Sequence, residues 1–161
     1  DRLTIGIDGF TADRGDAGSL FAFGRYAIDI PGSDDVWATG FGAGTTIVPS
    51  GAQDATLRAT VHWGRGLETG WLAVDAEVSF GLSRNISQTK IDATWGYRFN
   101  DVWTSATQFQ IGTGLTGDTY TKIAPSVIWA ARDNLQIRAG LVQALSGDYG
   151  TGLSLQSWIT F

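Results

Sequence analysis

The sequence predicts an all-β fold, a ten-stranded antiparallel up-and-down β-barrel with short turns. Apolar and polar residues alternate with a period of two along nearly the whole chain, and turn-like clusters interrupt the alternation after runs of roughly ten to fourteen residues. No segment shows a helical period. Short links between consecutive strands make neighbours antiparallel, and an even number of strands brings both termini to one end. Closure into a barrel is expected because it leaves no unpaired edge.

The clearest hairpin is predicted within residues 55–82. Apolar side chains occupy the odd positions of 55–63 and the even positions of 71–82, and residues 64–70 are expected to form the turn between them. One face of this hairpin is therefore apolar, and the other carries charges. Counting about the turn brings Arg58 near Glu77 or Ser79 and His62 near Ala73 or Asp75. The next strand adds Lys90 and Asp92 alongside.

The same alternation predicts the other strands, and all of residues 1–161 are expected to form a single domain. These strands are expected at about 3–11, 19–30, 36–48, 89–99, 102–115 and 119–132, from Leu135 onward, and up to Phe161. The glycine-rich stretch 40–44 is not followed by a helix, so it is not read as a phosphate-binding loop. Phe21 and Phe23 are instead expected opposite these glycines, as large rings packed over glycine.

Composition excludes several classes of function. No apolar run approaches the roughly 18 residues of a membrane-spanning helix. The chain has no cysteine and one histidine, so no disulfide, metal site or other cofactor is expected. Its net charge of −5 argues against nucleic-acid binding. The sequence shows no signal peptide, so we expect either a mature, processed chain or a protein that is not exported.

Two features favour a transmembrane barrel with the apolar face outward. The polar face gathers charges of both signs, which suits a narrow interior where an unpaired charge is costly. Aromatic residues on the apolar face bunch near the turns at the end that holds the termini, as at a membrane interface. These aromatics are Tyr26, Trp63, Tyr97, Phe99, Trp103 and Trp129. A soluble ligand-binding β-barrel, with the apolar face inward, remains the alternative.

The last strand adds a resemblance to a known class. Leu153, Leu155 and Ile159 alternate with polar residues, and the strand ends at Phe161. This pattern resembles the targeting signal of bacterial outer-membrane β-barrels, although Ser157 is polar at an outward position. The resemblance implies that the protein lies in the outer membrane of Gram-negative bacteria and that both termini are periplasmic. It further implies that Phe161 is the assembly signal. It also implies the lipid bilayer and the barrel assembly machinery as partners.

The polar face indicates what the barrel could do. Its predicted lumen-lining residues are Arg25, Arg58, His62, Asp75, Glu77, Lys90, Asp92, Arg98, Lys122 and Arg138. Bases outnumber acids on this face, so we expect a non-enzymatic, narrow channel for ions or small polar solutes, with a charge-paired and slightly basic lumen. A closed structural barrel that seats a larger assembly, with an unidentified protein partner, is the alternative. A lipid-modifying enzyme, using His62 with Thr60 and Asp75, is less favoured.

Overall fold

The computed structural model describes residues 2–12, 17–47, 50–84, 87–114, 117–147 and 150–159. The strands within these ranges are β1 (Leu3–Ala12), β2 (Ala17–Ile28), β3 (Asp35–Ile47), β4 (Gln53–Leu67), β5 (Gly70–Gly81), β6 (Ser87–Arg98), β7 (Trp103–Thr113), β8 (Thr119–Arg132), β9 (Leu135–Ser146) and β10 (Thr151–Ile159). Within the same ranges, no helix is long and apolar enough to cross a membrane.

The ten strands form one sheet in chain order, each antiparallel to the next. This confirms the predicted all-β, ten-stranded, up-and-down topology. The predicted turn at 64–70 was too long, because β4 continues to Leu67 and pairs there with Gly70 at the start of β5. Only Glu68 and Thr69 remain as the turn, so the hairpin is tight. In the described residues, β1 is paired with β2 alone and β10 with β9 alone.

The sheet curls toward its polar face. Arg58 in β4 places its Nη2 atom 2.7 Å from Oδ2 of Asp8 in β1. In a flat sheet, strands that are three positions apart are separated by about 14 Å, so curvature brings these two side chains together. We call the face that carries Asp8 and Arg58 the concave face, and the opposite face, which carries Ile7 and Leu57, the convex face.

Burial follows these two faces. Arg58 and Asp92 on the concave face are 9% and 7% exposed, whereas Ile7 and Leu155 on the convex face are 76% and 78% exposed. The apolar residues that are buried in the described part of the chain all lie on the concave face; they are Phe21, Ala38, Ala106 and Ala124. Most large aliphatic side chains of the described residues point away from the concave side, whereas the rings of Phe21, Phe23 and Trp71 lie on it. The described part of the concave face therefore has no continuous apolar core.

Neighbouring strands are staggered, so a row of laterally paired residues climbs along the strands as it crosses the sheet. One such row begins at Leu3, the first residue of β1, and ends at Ser146, the last residue of β9. Between them the row contains Tyr26, Thr39, Val61, Ala76, Ile91, Ile111 and Thr121. A stagger of this kind accompanies strand tilt in β-barrels. The sheet is thus both curved and staggered.

A β-bulge corrects one prediction about the polar face. The alternation predicts Arg132 on that face, together with Arg138. The register of β8 with β9 shifts between Ala130 and Arg132, so that Arg132 lies opposite Leu135. The extra residue breaks the period of two at the end of the strand. Arg132 is therefore exposed at the strand end and does not continue the concave row.

Aromatic rings on the concave face pack over glycines of the neighbouring strand. The predicted alignment is confirmed, because Phe21 lies opposite Gly44 and Phe23 opposite Gly42. The ring of Phe23 itself lies over Gly6 of β1. Trp71 likewise covers Gly96, and Tyr120 covers Gly112. A side chain at these glycines would occupy the space of the ring, so each pair fixes the separation of two strands.

We predict that Gly96→Ala destabilises the protein by about 1–3 kcal/mol through overpacking. A Cβ atom at Gly96 would lie 2.4 Å from the ring of Trp71, whereas a Cβ atom at Gly66 meets nothing within 4 Å. Gly66→Ala is therefore the matched control, and urea-induced unfolding is the measurement. Replacing Trp71 by leucine should remove most of the cost of Gly96→Ala. Equal losses of stability for the two glycine variants would contradict this packing.

Candidate functional site

The concave face holds the ionisable side chains that the sequence singled out. All ten predicted lumen residues project from it; these are Arg25, Arg58, His62, Asp75, Glu77, Lys90, Asp92, Arg98, Lys122 and Arg138. They fall into groups with different chemistry. Three groups on β1 and β4 to β6 combine acids with bases, and a fourth region on β7 to β10 has no acid.

Arg58 is the centre of the first group. Its guanidinium bonds Asp8 at 2.7 Å and lies 3.5 Å from Oε2 of Glu77, whose other oxygen accepts a hydrogen bond from Ser79. The ring of Phe21 lies beneath the guanidinium, with Cζ 4.2 Å from the ring centroid. A buried arginine is tolerated because two carboxylates and an aromatic face replace its water. The predicted approach of Arg58 to Glu77 is confirmed, and the contact with Asp8 adds a tie across the curled sheet.

His62 is the centre of the second group. Its Nδ1 lies 2.5 Å from Oδ1 of Asp75, directly across the ladder, which confirms the predicted pairing. A carboxylate only accepts, so Nδ1 carries the proton of this bond. In the neutral imidazole Nε2 then accepts a hydrogen bond from the Thr60 hydroxyl, 2.8 Å away. A hydroxyl, an imidazole and a carboxylate linked in this order can activate the hydroxyl. Thr60 Oγ1 is packed directly over the backbone of Gly40, which leaves little room for a substrate there.

Asp92 is the centre of the third group. Its Oδ2 accepts from Lys90 at 2.6 Å and from Gln108 at 2.8 Å. Its Oδ1 is buried and has no hydrogen-bond partner among the described residues. Asp75 lies opposite Asp92 on the adjacent strand. Two carboxylates in direct register repel each other, so the ammonium of Lys90 on Asp92 and the hydrogen bond from His62 to Asp75 lower the cost of placing them side by side.

The fourth region lacks acidic residues altogether. Strands β7 to β10 contain no Asp or Glu within their bounds. Arg138 of β9 is half-buried there and donates from Nε to the Ser126 hydroxyl at 2.8 Å, and its Nη1 lies 3.5 Å from Oε1 of Gln156. Charge is therefore distributed unevenly over the concave face, with every strand-borne acid on the β1 to β6 side.

Two side chains that organise this face were not identified from the sequence. Asp54 is 2% exposed, and its carboxylate accepts hydrogen bonds from the backbone amides of Ser83 and Arg84. It therefore fastens the loop after β5 to the start of β4. Asp54 has the same parity as Arg58, which indicates the same face of β4. It was not selected because the strand was expected to begin at residue 55. Trp71 was likewise missed, although its odd position in β5 puts it on the polar face.

The aromatic residues expected at an interface lie on the convex face, near the turns at the end that holds the termini. Trp103 and Trp129 are cross-strand neighbours with ring centroids 6.1 Å apart, and Tyr97 contacts Phe99 edge-on at 5.3 Å. The remaining two, Tyr26 and Trp63, lie on β2 and β4, with Tyr26 in the lateral row of Val61, two residues from that of Trp63. Trp37, which the sequence analysis did not select, pairs with Trp63 on the same face.

One ion pair lies just beyond these tryptophans toward the turns. Arg65 Nε donates to Oδ1 of Asp35 at 2.6 Å, one register step outside the Trp37–Trp63 pair on the convex face. The hydrogen bond from Arg65 lowers the pKa of Asp35 below its ordinary value. Convex residues thus change from apolar to aromatic to charged along β3 and β4. The predicted assembly signal, Phe161, lies outside the described residues.

Metal ligation finds no support in the part of the chain that the structure covers, since no three His, Asp or Glu side chains there could hold an ion together. Comparison with known proteins gives no further assignment. No family model, curated protein or solved structure matches this chain. The geometry of the two faces is therefore the basis for inferring a function.

We predict that Lys90→Met costs about 3–5 kcal/mol in the free energy of unfolding, because it leaves the buried Asp92 carboxylate unpaired. The double variant Lys90→Met with Asp92→Asn should recover most of that loss. Arg2→Gln is the control: its pair with Asp29 is exposed on both sides, and little change is expected. Urea unfolding at neutral pH is the measurement. A loss in Lys90→Met no larger than in Arg2→Gln would contradict the buried pair.

Proposed function

We propose that this protein is a non-enzymatic transmembrane β-barrel of the bacterial outer membrane that forms a narrow channel for ions or small polar solutes. The observation that carries the proposal is the inverted burial of the sheet. Charged and hydroxyl side chains are buried on the concave face, and large apolar side chains are exposed on the convex face. Lipid is the environment in which an exposed convex face of this composition is stable.

The accessible surface of the chain is larger than expected for a soluble monomer, which supports contact of the convex face with an apolar environment. The accessible surface is 10583 Å². A soluble monomer of 17.2 kDa has about 7,800 Å² by the usual scaling. Part of the excess comes from the open edges, and part from convex leucine, isoleucine and tryptophan side chains. Contact with acyl chains would remove the latter from water.

The arrangement of side chains along the convex face supports a membrane orientation. Aliphatic residues such as Ile91 and Val74 lie at mid-strand, the tryptophan pairs lie toward the turns, and the Asp35–Arg65 ion pair lies beyond Trp63. This order matches the sequence of hydrocarbon, interface and headgroup layers. An apolar core inside a soluble barrel gives no reason for aromatic rings to gather at one end.

Closure of the sheet completes the proposal. The outer edges of β1 and β10 have similar length and opposite direction, and both place odd-numbered residues on the convex face. Pairing Leu3 with Ile159 and Ile7 with Leu155 keeps apolar side chains on the same side. It also provides hydrogen bonds for two rows of backbone groups that lipid could not satisfy.

We predict that cysteines on β1 and β10 form an intramolecular disulfide. The chain has no cysteine of its own, so Ile7→Cys is combined with Leu155→Cys and, to allow a shift of two residues, with Leu153→Cys or Ser157→Cys. Oxidation should produce a faster-migrating monomer on denaturing gels for one of these pairs, because facing residues of antiparallel strands meet disulfide geometry.

The control for this experiment is Asp8→Cys with Leu155→Cys, whose side chains lie on opposite faces and should not form a bond. Absence of a cross-link in all three same-face pairs would contradict closure between β1 and β10.

We predict steady single-channel current from the purified protein in a planar bilayer. Arg58→Ala should raise the conductance severalfold, because it removes the side chain that joins Asp8 to Glu77 across the interior. Arg65→Ala, on the convex face near the turns, is the control and should leave the conductance unchanged. If neither the wild type nor Arg58→Ala conducts current, the channel proposal is refuted.

A closed structural barrel is the second candidate, and the filled interior favours it. Arg58, Phe21 and the Lys90–Asp92 pair occupy space over the middle of the concave face. An electrically silent but lipid-inserted protein would support this candidate. A lipid-modifying role based on Thr60, His62 and Asp75 predicts ester turnover that His62→Ala abolishes; unaltered folding without any turnover in the wild type would exclude it.

A further inference from the structure

Two arginines of the concave face lie within or beside its acid-free strands. Arg98 at the end of β6 and Arg138 in β9 make no ion pair among the described residues, unlike Arg58 and Lys90. The nearest strands, β7 to β10, supply no carboxylate. Arg138 is half-buried, and the Asp92 carboxylate of β6 attracts it without forming an ion pair. The cost of burying its charge is therefore only partly compensated, and it is relieved when an anion binds.

The register brings these arginines into one lateral row. Arg98 pairs with Thr104, Thr104 with Ile128, Ile128 with Arg138, and Arg138 with Gln156. Arg98 and Arg138 are thus three strands apart, about 14 Å along a flat sheet. Curvature toward the concave side shortens the distance between the ends of their side chains, and Thr104 lies next to Arg98 and two strands from Arg138.

The guanidinium of Arg138 is held in place by neutral groups. Its Nε donates to Ser126, which in turn donates to the carbonyl of Ala106, and its Nη1 approaches Gln156. Gly140 lies opposite Ser126, and a Cβ atom there would be 2.6 Å from the Ser126 side chain. The surface on the Ser126 side of Arg138 is therefore made of small residues, and the guanidinium keeps further N–H groups for a ligand.

We propose that Arg98 and Arg138, with the Thr104 hydroxyl between them, form a binding site for a small oxyanion such as phosphate or sulfate. Paired guanidinium groups present planar N–H forks that match the oxygen spacing of these anions. The site lies toward the turns that follow β6 and β8, at the end that holds the termini. This inference deepens the proposed channel, because it gives the acid-free half of the interior a ligand of defined class.

The test is a calorimetric titration of inorganic phosphate, and separately of sulfate, into the detergent-purified protein. Saturable binding is expected in the wild type. Arg98→Gln and Arg138→Gln should each weaken it at least about tenfold, since each removes charge-assisted hydrogen bonds. Arg138→Lys should fall between wild type and Arg138→Gln, because it keeps the charge and loses the fork. Circular dichroism checks the fold, and Arg98→Gln, at an exposed position, carries the test if Arg138→Gln does not fold.

Arg25→Gln is the matched control, because Arg25 is also a concave arginine without an ion pair but lies on β2, in the other half of the sheet. It should retain phosphate affinity within about twofold. No saturable binding in the wild type, or equal weakening by Arg25→Gln, would overturn the site. The titration needs no current, so a silent protein that binds phosphate would refute the channel and keep the site. A conducting protein without saturable phosphate binding would support the channel and refute the site.

Discussion

The sense in which the sheet curls determines everything else about this molecule. A period of two gives any strand two chemically different faces, but it does not decide which one becomes the interior. Here the tie between Arg58 and Asp8 crosses from β4 to β1 on the polar side, and Phe21 supports it from below. Once the polar face is concave, its charges must be compensated locally, and the apolar side chains are left outward.

Local compensation accounts for the uneven chemistry of the concave face. Bases face acids on β1 and β4 to β6, so Arg58, His62 and Lys90 each bind a carboxylate. Strands β7 to β10 have hydroxyl and amide side chains and two concave cations, Lys122 and Arg138. Most ionisable groups on β1 and β4 to β6 are thus paired, whereas Arg138 on β9 bonds only neutral side chains. A passage through such an interior would present different surfaces to cations and anions.

The sequence predicts the strands, their order and much of the register, because each follows from alternation and short turns. Counting about the β4–β5 turn was enough to pair His62 with Asp75. The contact of Arg58 with Asp8 could not be found this way, since it depends on curvature between strands distant in sequence. The bulge at Ala130 arises from local backbone geometry that leaves no periodic signal. The even position of Asp54 indicates its face, but its bonds to the amides of the loop after β5 depend on the loop's conformation.

The central claim is that the odd-numbered side chains of β6 face lipid and the even-numbered ones face a polar interior. A nitroxide scan of single-cysteine variants from Ser87 to Arg98, in liposomes, tests it most directly. Accessibility to oxygen, which concentrates in hydrocarbon, should alternate with a period of two, with maxima at Ile91, Ala93 and Trp95 and little access for a water-soluble nickel chelate. Shielding of these three positions from both reagents, with the even positions open to the chelate, would mean that the apolar face is a packed core and would contradict the account.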